Sequence, residues 1–471
     1  MSSRSFARVP TPGTCIEPTR SDVDQDCSNL SVSSEGWRTY DFERELHARS
    51  CRHIRTMKLR PYSAGAPYHL DAPLAPTTAR ANGSVEAEIA IVGAGYGGLI
   101  TALALAQRGV DVVVLEEHSV GFGGSGRNHG QCIPIFPYLR ENQLTPSGFA
   151  LLRDSGRRVF DLIEEHDIAC QPVQCGTLHT AHDAAGLERL RIQHAKYKRM
   201  GKAGPLLGAD ATAKMTGTRS YLGGWVHPDG GHLNPLAYAR GLARAALTAG
   251  ARIYTSSPVQ RLARKDGSWI LHCPDAEVRA KRVGFAVNGY ADPKAPNVLH
   301  RLHIPLVSYG MASAPLTSDV RSTILPGGHN TGDTHHDPLF FRIDAAGRII
   351  TGGLREVRRG RDFAHTAMFM TRRFTRVFPQ LTGLSWTHLW TGNLAVSSDR
   401  TPHIVELDDD LYALTGFSGR GVPTTAALGE AFAATLVSPD EGRCLWPATR
   451  PQTIVARRMI GAVVQNMRGP I

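Results

Sequence analysis

The sequence predicts an α/β fold, a doubly wound parallel-sheet domain assembled from discontinuous segments with a mixed or antiparallel sheet inserted into it. Three observations predict it. EIAIVG is a short apolar strand, GGLITALALAQR a helix with alanines at close-packing positions, and VDVVVLEE a run apolar on both faces, which together make one βαβ unit. Glycine supplies 48 of 471 residues, which suits tight turns and close backbone approaches. LHIPLVSYGMA, PLFFRI and RIITGG, between 302 and 352, alternate as antiparallel strands do.

Taken in order, residues 1–84 are rich in Ser, Pro and Arg without sustained periodicity and are expected to be largely disordered or extended. Eight acids stand beside eight arginines in the first 56 residues, which disfavours a mitochondrial presequence. Met57 precedes the ordered pattern, so residues 1–56 are expected to be dispensable for folding. The parallel-sheet domain is expected from 85–165, 226–300 and 389–440, the inserted domain from 166–225 and 301–388, and a C-terminal segment from 441–471. Helices are expected at about 150–165 and 184–200. Asn234-Pro235 opens another, with Leu236, Ala239, Leu242, Ala243 and Ala246 as its buried stripe and Gly250 at its end. Strands ARIYTSS, SWILHC and RVGFAV follow, and a last helix opens after GFSGRGVP and runs through TAALGEAFAATL.

Composition excludes several classes. With 42% hydrophobic and 20% charged residues the chain is globular, not collagen-like or a disulfide scaffold. A net charge of +11 raises nucleic acid as a partner, but no zinc finger, recognition helix or stacking motif accompanies it. The excess is scattered, with small clusters such as Arg355, Arg358, Arg359 and Arg361, so an anion-binding pocket outranks a nucleic-acid groove. Eight cysteines lack metal-ligand spacing, no metal site is expected, and the N-terminus has no apolar signal region, which together suggest a reduced, cytoplasmic setting. Ile89–Gln107 reaches the uncharged length of a membrane helix, but Gly93, Gly95, Gly97 and Gly98 interrupt it, and no transmembrane segment is expected.

Those glycines carry the chemistry. Gly93-Ala94-Gly95-Tyr96-Gly97-Gly98 is a G-x-G-x-x-G turn between strand and helix. Gly93 suits the tight turn, Gly95 the approach of a pyrophosphate, and Gly98 close helix packing. The helix N-terminus offers free N–H groups to the phosphates. Glu116, next to Glu117 at the end of the second strand, stands where a carboxylate accepts ribose hydroxyls. A second glycine cluster, Gly121 to Gly126, has no strand before it. Its continuation Gly126-Arg127-Asn128-His129-Gly130-Gln131 places one cation and several hydrogen-bonding groups where loop amides and Arg127 would meet a pyrophosphate. No nucleophile–base pair accompanies these motifs.

IVGAGYGGL, VVVLEE and GFGGSGRNHGQ, followed by GGWVHPDGGHLNPLAYARGLARAALTAGARIY, PLVSYGMASAPL, GRIITGG, LWTG, DRTPHI and LTGFSGRGVPTTAALGEAFA, resemble the FAD-dependent glycine/D-amino-acid oxidase superfamily, within it the gamma-glutamylputrescine oxidoreductase branch. The resemblance spans roughly 61–440. It implies non-covalent FAD held by the βαβ unit, with Glu116 on the ribose and Ser125, Arg127, Asn128, His129 and Gly130 passing the pyrophosphate and isoalloxazine. Val259 would meet the adenine, and Gly392, Gly419, Arg420, Gly421 and Val422 the flavin. The implied chemistry is transfer of a hydride equivalent from the carbon beside an amine to the flavin, on a small amine or N-substituted amino acid.

The chain departs from the family at Gly419-Arg420-Gly421, often Gly-His-Gly, and at Pro423, where sarcosine oxidases hold substrate with a lysine. Arg342 and Arg420 are therefore the candidates for holding an anionic substrate group, and His129 and Tyr309 complete the catalytic candidates. His227, His232 and Trp390 fall in family motifs near the expected flavin. Two alternatives stay open: oxidation of a 2-hydroxy acid, and a flavin-binding subunit that needs a partner. Cys170 and Cys175 have the spacing of a redox dithiol, but no second nucleotide fingerprint accompanies them.

Overall fold

A computed structural model describes residues 63–136, 144–291, 298–354 and 363–466, all within the compact unit Arg60–Ile471. The Arg355–Arg361 cluster and residues 1–62 lie outside the described residues.

The expected βαβ unit is Gly83–Val92, Tyr96–Gln107 and Val112–Leu115. Both strands are buried along their inner halves because each packs on two sides, which is why their apolar runs are continuous. The sheet runs Arg261–Lys265, Ser268–His272, Ala276–Phe285, Gly83–Val92, Val112–Leu115, Arg252–Tyr254, and Leu411–Thr415 joins the parallel core beside Ala276–Phe285. Helices Tyr96–Gln107, Pro235–Thr248 and Gly421–Val437 pack on one face of it through Ile89, Ile91, Val112, Val114 and Leu414. The opposite face packs on the 261–285 hairpins and the turns around Val287 and Leu302. Asn234 caps the second of these helices, its side chain accepting from Ala237 N at 3.1 Å, as its sequence position requires.

The inserted sheet is mixed, in the order Ser63–Ala64, Trp386–Val396, Ile304–Ser313, Ile349–Leu354, Phe340–Ile343, Asn330–Asp333, Thr177–Ala181, Gly223–His227, Leu206–Gly208. Residues 389–396, assigned from sequence to the parallel-sheet domain, belong to this second sheet. Helix Phe363–Val377 covers one of its faces with Met370 and Phe374. The C-terminal segment contains helix Arg457–Asn466, tied to the same sheet where Gln465 Nε2 donates to Val307 O at 2.9 Å.

Residues 63–84 are packed and not unstructured. Ser63 and Ala64 pair with His388 and Leu389 of the second sheet, while Ala79 bridges Tyr254 of the first. Tyr68 is 1% exposed, and Arg348, itself held by Asp344, pairs with Asp71. Short polar segments score as loops in a sequence, and this strap is tied to the sheets at a few points with most of the residues between them exposed or half-buried. Truncating Tyr68 to Ala should destabilise the protein by about 3 kcal/mol or more, read as a lower urea midpoint; an unchanged midpoint would show that the strap contributes nothing.

Candidate active site

A cavity of about 990 Å³ is walled by residues of both sheets. At one end lies the glycine turn. Gly93 takes φ +106°, which only glycine adopts freely, and its N–H donates to Leu115 O at 2.8 Å. A β-carbon on Gly98 would collide with the Gly93 carbonyl, and one on Gly95 would lie 2.8 Å from Ser125 Oγ. Gly95 is the N-cap of the helix and brings no side chain to the cavity, and the neighbouring Ala94 N–H is held by the Glu116 carboxylate. Ser125 Oγ accepts from Tyr96 N at 2.9 Å.

Glu116 closes this end. Its carboxylate accepts from Ala94 N at 2.8 Å and His118 N at 2.9 Å, which fixes its plane and leaves lone pairs toward the cavity. Burial raises its pKa, and the two backbone donors oppose that rise.

Four successive carbonyls of the next loop are each held by a different part of the fold. Arg127 O accepts from Trp390 Nε1 at 2.8 Å, Asn128 O from Tyr68 Oη at 2.7 Å, His129 O from Arg342 Nε at 2.6 Å and Gly130 O from Leu233 N at 2.8 Å. The Asn128 side chain completes the knot, donating to Tyr96 Oη, Gly124 O and Ser125 O and accepting from Gly130 N. Gly130 is at φ +71°, where a β-carbon would run into Leu233 O and the Arg342 guanidinium. The expectation that loop amides bind pyrophosphate is therefore narrowed: those of Arg127 and Asn128 donate to Gly124 O, and that of Gly130 to Asn128.

Of the residues singled out from sequence, Gly93, Gly95, Tyr96, Gly97, Glu116, Glu117, Ser125, Arg127, Asn128, His129, Val259, Tyr309, Gly392, Gly419, Arg420, Gly421 and Val422 line the cavity. Ala94, Gly98, Gly130 and Arg342 do not, and act from behind its wall. Arg342 is 2% exposed, with its guanidinium against His129 O and over the Tyr68 ring, so it stands outside the place where an anionic group would sit. Tyr309 turns its hydroxyl to Met370 Sδ at 3.5 Å, and burial pushes its pKa up. His129 donates through Nε2 to Tyr309 O at 3.1 Å, and burial pulls its pKa down to about 4. Trp390 lines the cavity, while His227 and His232 are buried beyond it. Cys170 and Cys175 are unpaired thiols that burial pushes up to about 12 and 11, the opposite of a reactive thiolate.

Arg420 precedes helix Gly421–Val437, its Nε donating to Ile135 O at 3.1 Å. This helix also begins without a side-chain cap. Two helix N-termini and the Arg420 side chain thus meet one cavity, an arrangement that fits a pyrophosphate and a flavin ring that gains negative charge. Sequence reasoning named Gln131 only as the end of the glycine loop and passed over Thr177, His179, Asp333, Asp337 and Ile460, all of which line the cavity. Most come from the inserted sheet or C-terminal helix, where no motif marks them. The acids among them are committed, Asp333 to His335 Nδ1 at 2.8 Å and Asp337 to Arg373 at 2.9 Å.

The chain belongs to the FAD dependent oxidoreductase family DAO, which matches residues 88–435, and its cofactor is FAD. It is 30% identical over 365 residues to gamma-glutamylputrescine oxidoreductase of Escherichia coli (strain K12), covering 75% of this chain and 84% of that protein. It is 28% identical to the probable oxidoreductase OrdL of Haemophilus influenzae, covering 79% and 88%. In three dimensions it is similar to glycine oxidase from Geobacillus kaustophilus, with a TM-score of 0.63 at 18% identity over 75% of this chain and 95% of that one. Among the described residues no helix is long and apolar enough to cross a membrane.

Gly98→Ala should weaken flavin binding about tenfold to a hundredfold, the scale of overpacking a closed contact, read as a fall in the flavin-to-protein absorbance ratio. Retained flavin would overturn the account of this turn. The buried histidines give a second expectation. His129 and His227 sit at about 4, and His179 and His232 at about 3, all lowered first by burial. A folded value below the unfolded 6.5 means their stabilisation is complete above about pH 6.5 and fades as pH falls toward 4, by up to about 1.4 kcal/mol per pH unit per histidine. Urea midpoints measured from pH 7 to 4.5 should fall steeply, and less steeply for His227→Gln; a flat profile would sink this.

Proposed function

We propose that the chain oxidises the C–N bond of an amine or N-substituted amino acid, passing a hydride equivalent from the carbon beside nitrogen to FAD and releasing an imine that hydrolyses. The observation that carries this reading is the neutral, buried wall of the cavity. Trp390 and Phe340 line it, burial keeps His129 and His179 neutral, and the lining arginines Arg127, Arg400 and Arg420 are offset by Glu116, Glu117, Asp333 and Asp337. Such a cavity disfavours an ammonium and favours the neutral amine, whose lone pair is needed to expel the hydride.

When bound, FAD supplies the two-electron acceptor. The chain's own residues do the rest. The pinned loop Arg127–Gly130 fixes one wall, Trp390 and Phe340 exclude water, and Arg420 with the first turn of helix Gly421–Val437 offers positive charge where negative charge develops. The named activity of the Escherichia coli relative, at 30% identity over most of its length, supports an amine as substrate. Unpaired thiols at Cys132, Cys170, Cys175, Cys273 and Cys444 support a reducing, cytoplasmic setting.

Anaerobic titration of the purified flavoprotein tests this. Polyamines, N-substituted amino acids or amino acids should bleach the flavin and release an aldehyde, ammonia or a second amine, and 2-hydroxy acids should leave it oxidised. The reduction rate should climb with pH and level off once the substrate amine is neutral. Bleaching by hydroxy acids alone would replace this reading, and a flavin that no candidate reduces would favour the partner-dependent one.

A further inference from the structure

One face of the strand pair Ile304–Ser313 and Trp386–Val396 forms a continuous stretch of the cavity wall. The pairing is antiparallel, with Gly310 opposite Trp390, Leu306 opposite Leu394 and Ile304 opposite Val396, and all six line the cavity. Alternate residues of a strand share a face, and residues directly opposed across the pair share it too. The face changes character along its length. At one end the Trp390 ring lies across Gly310, where a β-carbon has no room, and its Nε1 donates to Arg127 O at 2.8 Å, so this end meets the pinned loop. In the next row the Ser308 hydroxyl donates to Gly353 O at 2.9 Å and is spent within the sheet.

The last two rows are aliphatic, and helix Arg457–Asn466 lies across them. A β-carbon on Gly461 would stand 3.4 Å from Ile304 Cγ2 and 3.6 Å from Leu306 Cδ2, which puts the helix on that same face, and it adds Ile460 and Val464 to the cavity lining. Ile304, Leu394, Val396 and Val464 are half-buried, and Ile460 is 36% exposed. Aliphatic side chains left partly open in a concave wall are covered by an apolar guest.

We propose that this compartment takes an aliphatic segment of the substrate, a chain of several methylenes on the amine, uncharged where it crosses Leu306 and Leu394. The proposal deepens the amine-oxidation reading and rests on it for the nature of the reacting group. Length selects the guest. The two aliphatic rows lie about 7 Å apart along the strands, so a methyl group covers part of one row and only a longer chain spans both. Charge selects as well, because an ion placed there loses its hydration and finds no polar side chain in either row. Phosphates and ribose hydroxyls find N–H groups, a carboxylate and a cation elsewhere on the wall, at Gly95, Glu116 and Arg127. The apolar edge of the flavin ring is the rival guest, and the test separates the two.

Full-length, flavin-loaded protein is titrated with n-alkanols from butanol to octanol, which need no turnover, and binding is read by calorimetry. Affinity should rise about threefold to fourfold per methylene and level off once both rows are covered. The second-order rate of flavin reduction by the matching n-alkylamines, measured anaerobically, should climb with the same slope. Leu394→Asn and Ile460→Ser should each flatten both slopes while the flavin-to-protein absorbance ratio stays at the wild-type value; Ile460 is exposed enough to change without disturbing the core. Wild-type affinity that is independent of chain length overturns the proposal, as does an Ile460→Ser protein that keeps the full slope. Variants that retain the wild-type urea midpoint but shed flavin, or shift its spectrum before any probe is added, overturn it too by giving the rows to the cofactor. If the alkanols show the slope and the variants lose it while no amine reduces the flavin, the compartment stands and the amine reading fails.

Discussion

The site depends on one constraint: the backbone between Arg127 and Gly130 is held open by four donors from outside it. Trp390 comes from the second sheet, Arg342 from another strand of that sheet, Tyr68 from the N-terminal strap and Leu233 from the turn before helix Pro235–Thr248. A glycine-rich loop has a high conformational entropy when free, and each charge-assisted or buried hydrogen bond narrows it. Both sheets and the strap thereby converge on four residues. This explains why a strap without periodicity buries Tyr68 while Leu70 and Leu74 beside it stay exposed, and why an arginine is buried behind the cavity wall.

The buried arginine also answers an electrostatic question. An ionised guanidinium inside a protein requires partners, and Arg342 has them in a carbonyl and an aromatic face. Arg348, close by along the chain, is neutralised by Asp344 and Asp71. The lining arginines Arg127, Arg400 and Arg420 are matched by Glu116, Glu117, Asp333 and Asp337, and much of the remaining wall is neutral rings and backbone. Burial that holds the histidines neutral is the same burial that strips water from a bound amine.

How much of this was legible in the sequence follows from what each part asks of it. The glycine turn, Glu116 and the helix after Gly421 are specified by local steric demands, and such demands leave fixed spacings. Gly98 has no room for a β-carbon and Gly93 needs positive φ, so their identities are nearly dictated. The role of Arg342 was misplaced because a strand alternation shows only that it faces one side, not that the side holds a backbone loop 213 residues away. The strap at 63–84 and helix Arg457–Asn466 were passed over because their packing is entirely long-range. His179 and Asn330 gave no signal, since the parallel pairing that brings their strands together joins segments about 150 residues apart.

That last pairing bears on specificity. Family-level motifs fix the glycine turns and helix termini of the cavity, while other lining residues come from strands of the second sheet, which no motif marks. Thr177, Asn330 and Gln131 illustrate this: Thr177 Oγ1 lies 3.1 Å from Cys132 O and 3.0 Å from Asn330 Oδ1, and Asn330 Nδ2 reaches Gln131 Oε1 at 3.3 Å, a chain that ties two strands to the loop. A relative could keep every glycine of the cradle and still differ at such lining positions. The net positive charge of the whole chain, which suggested an anionic ligand, is not concentrated at this cavity, whose lining carries four carboxylates beside three arginines.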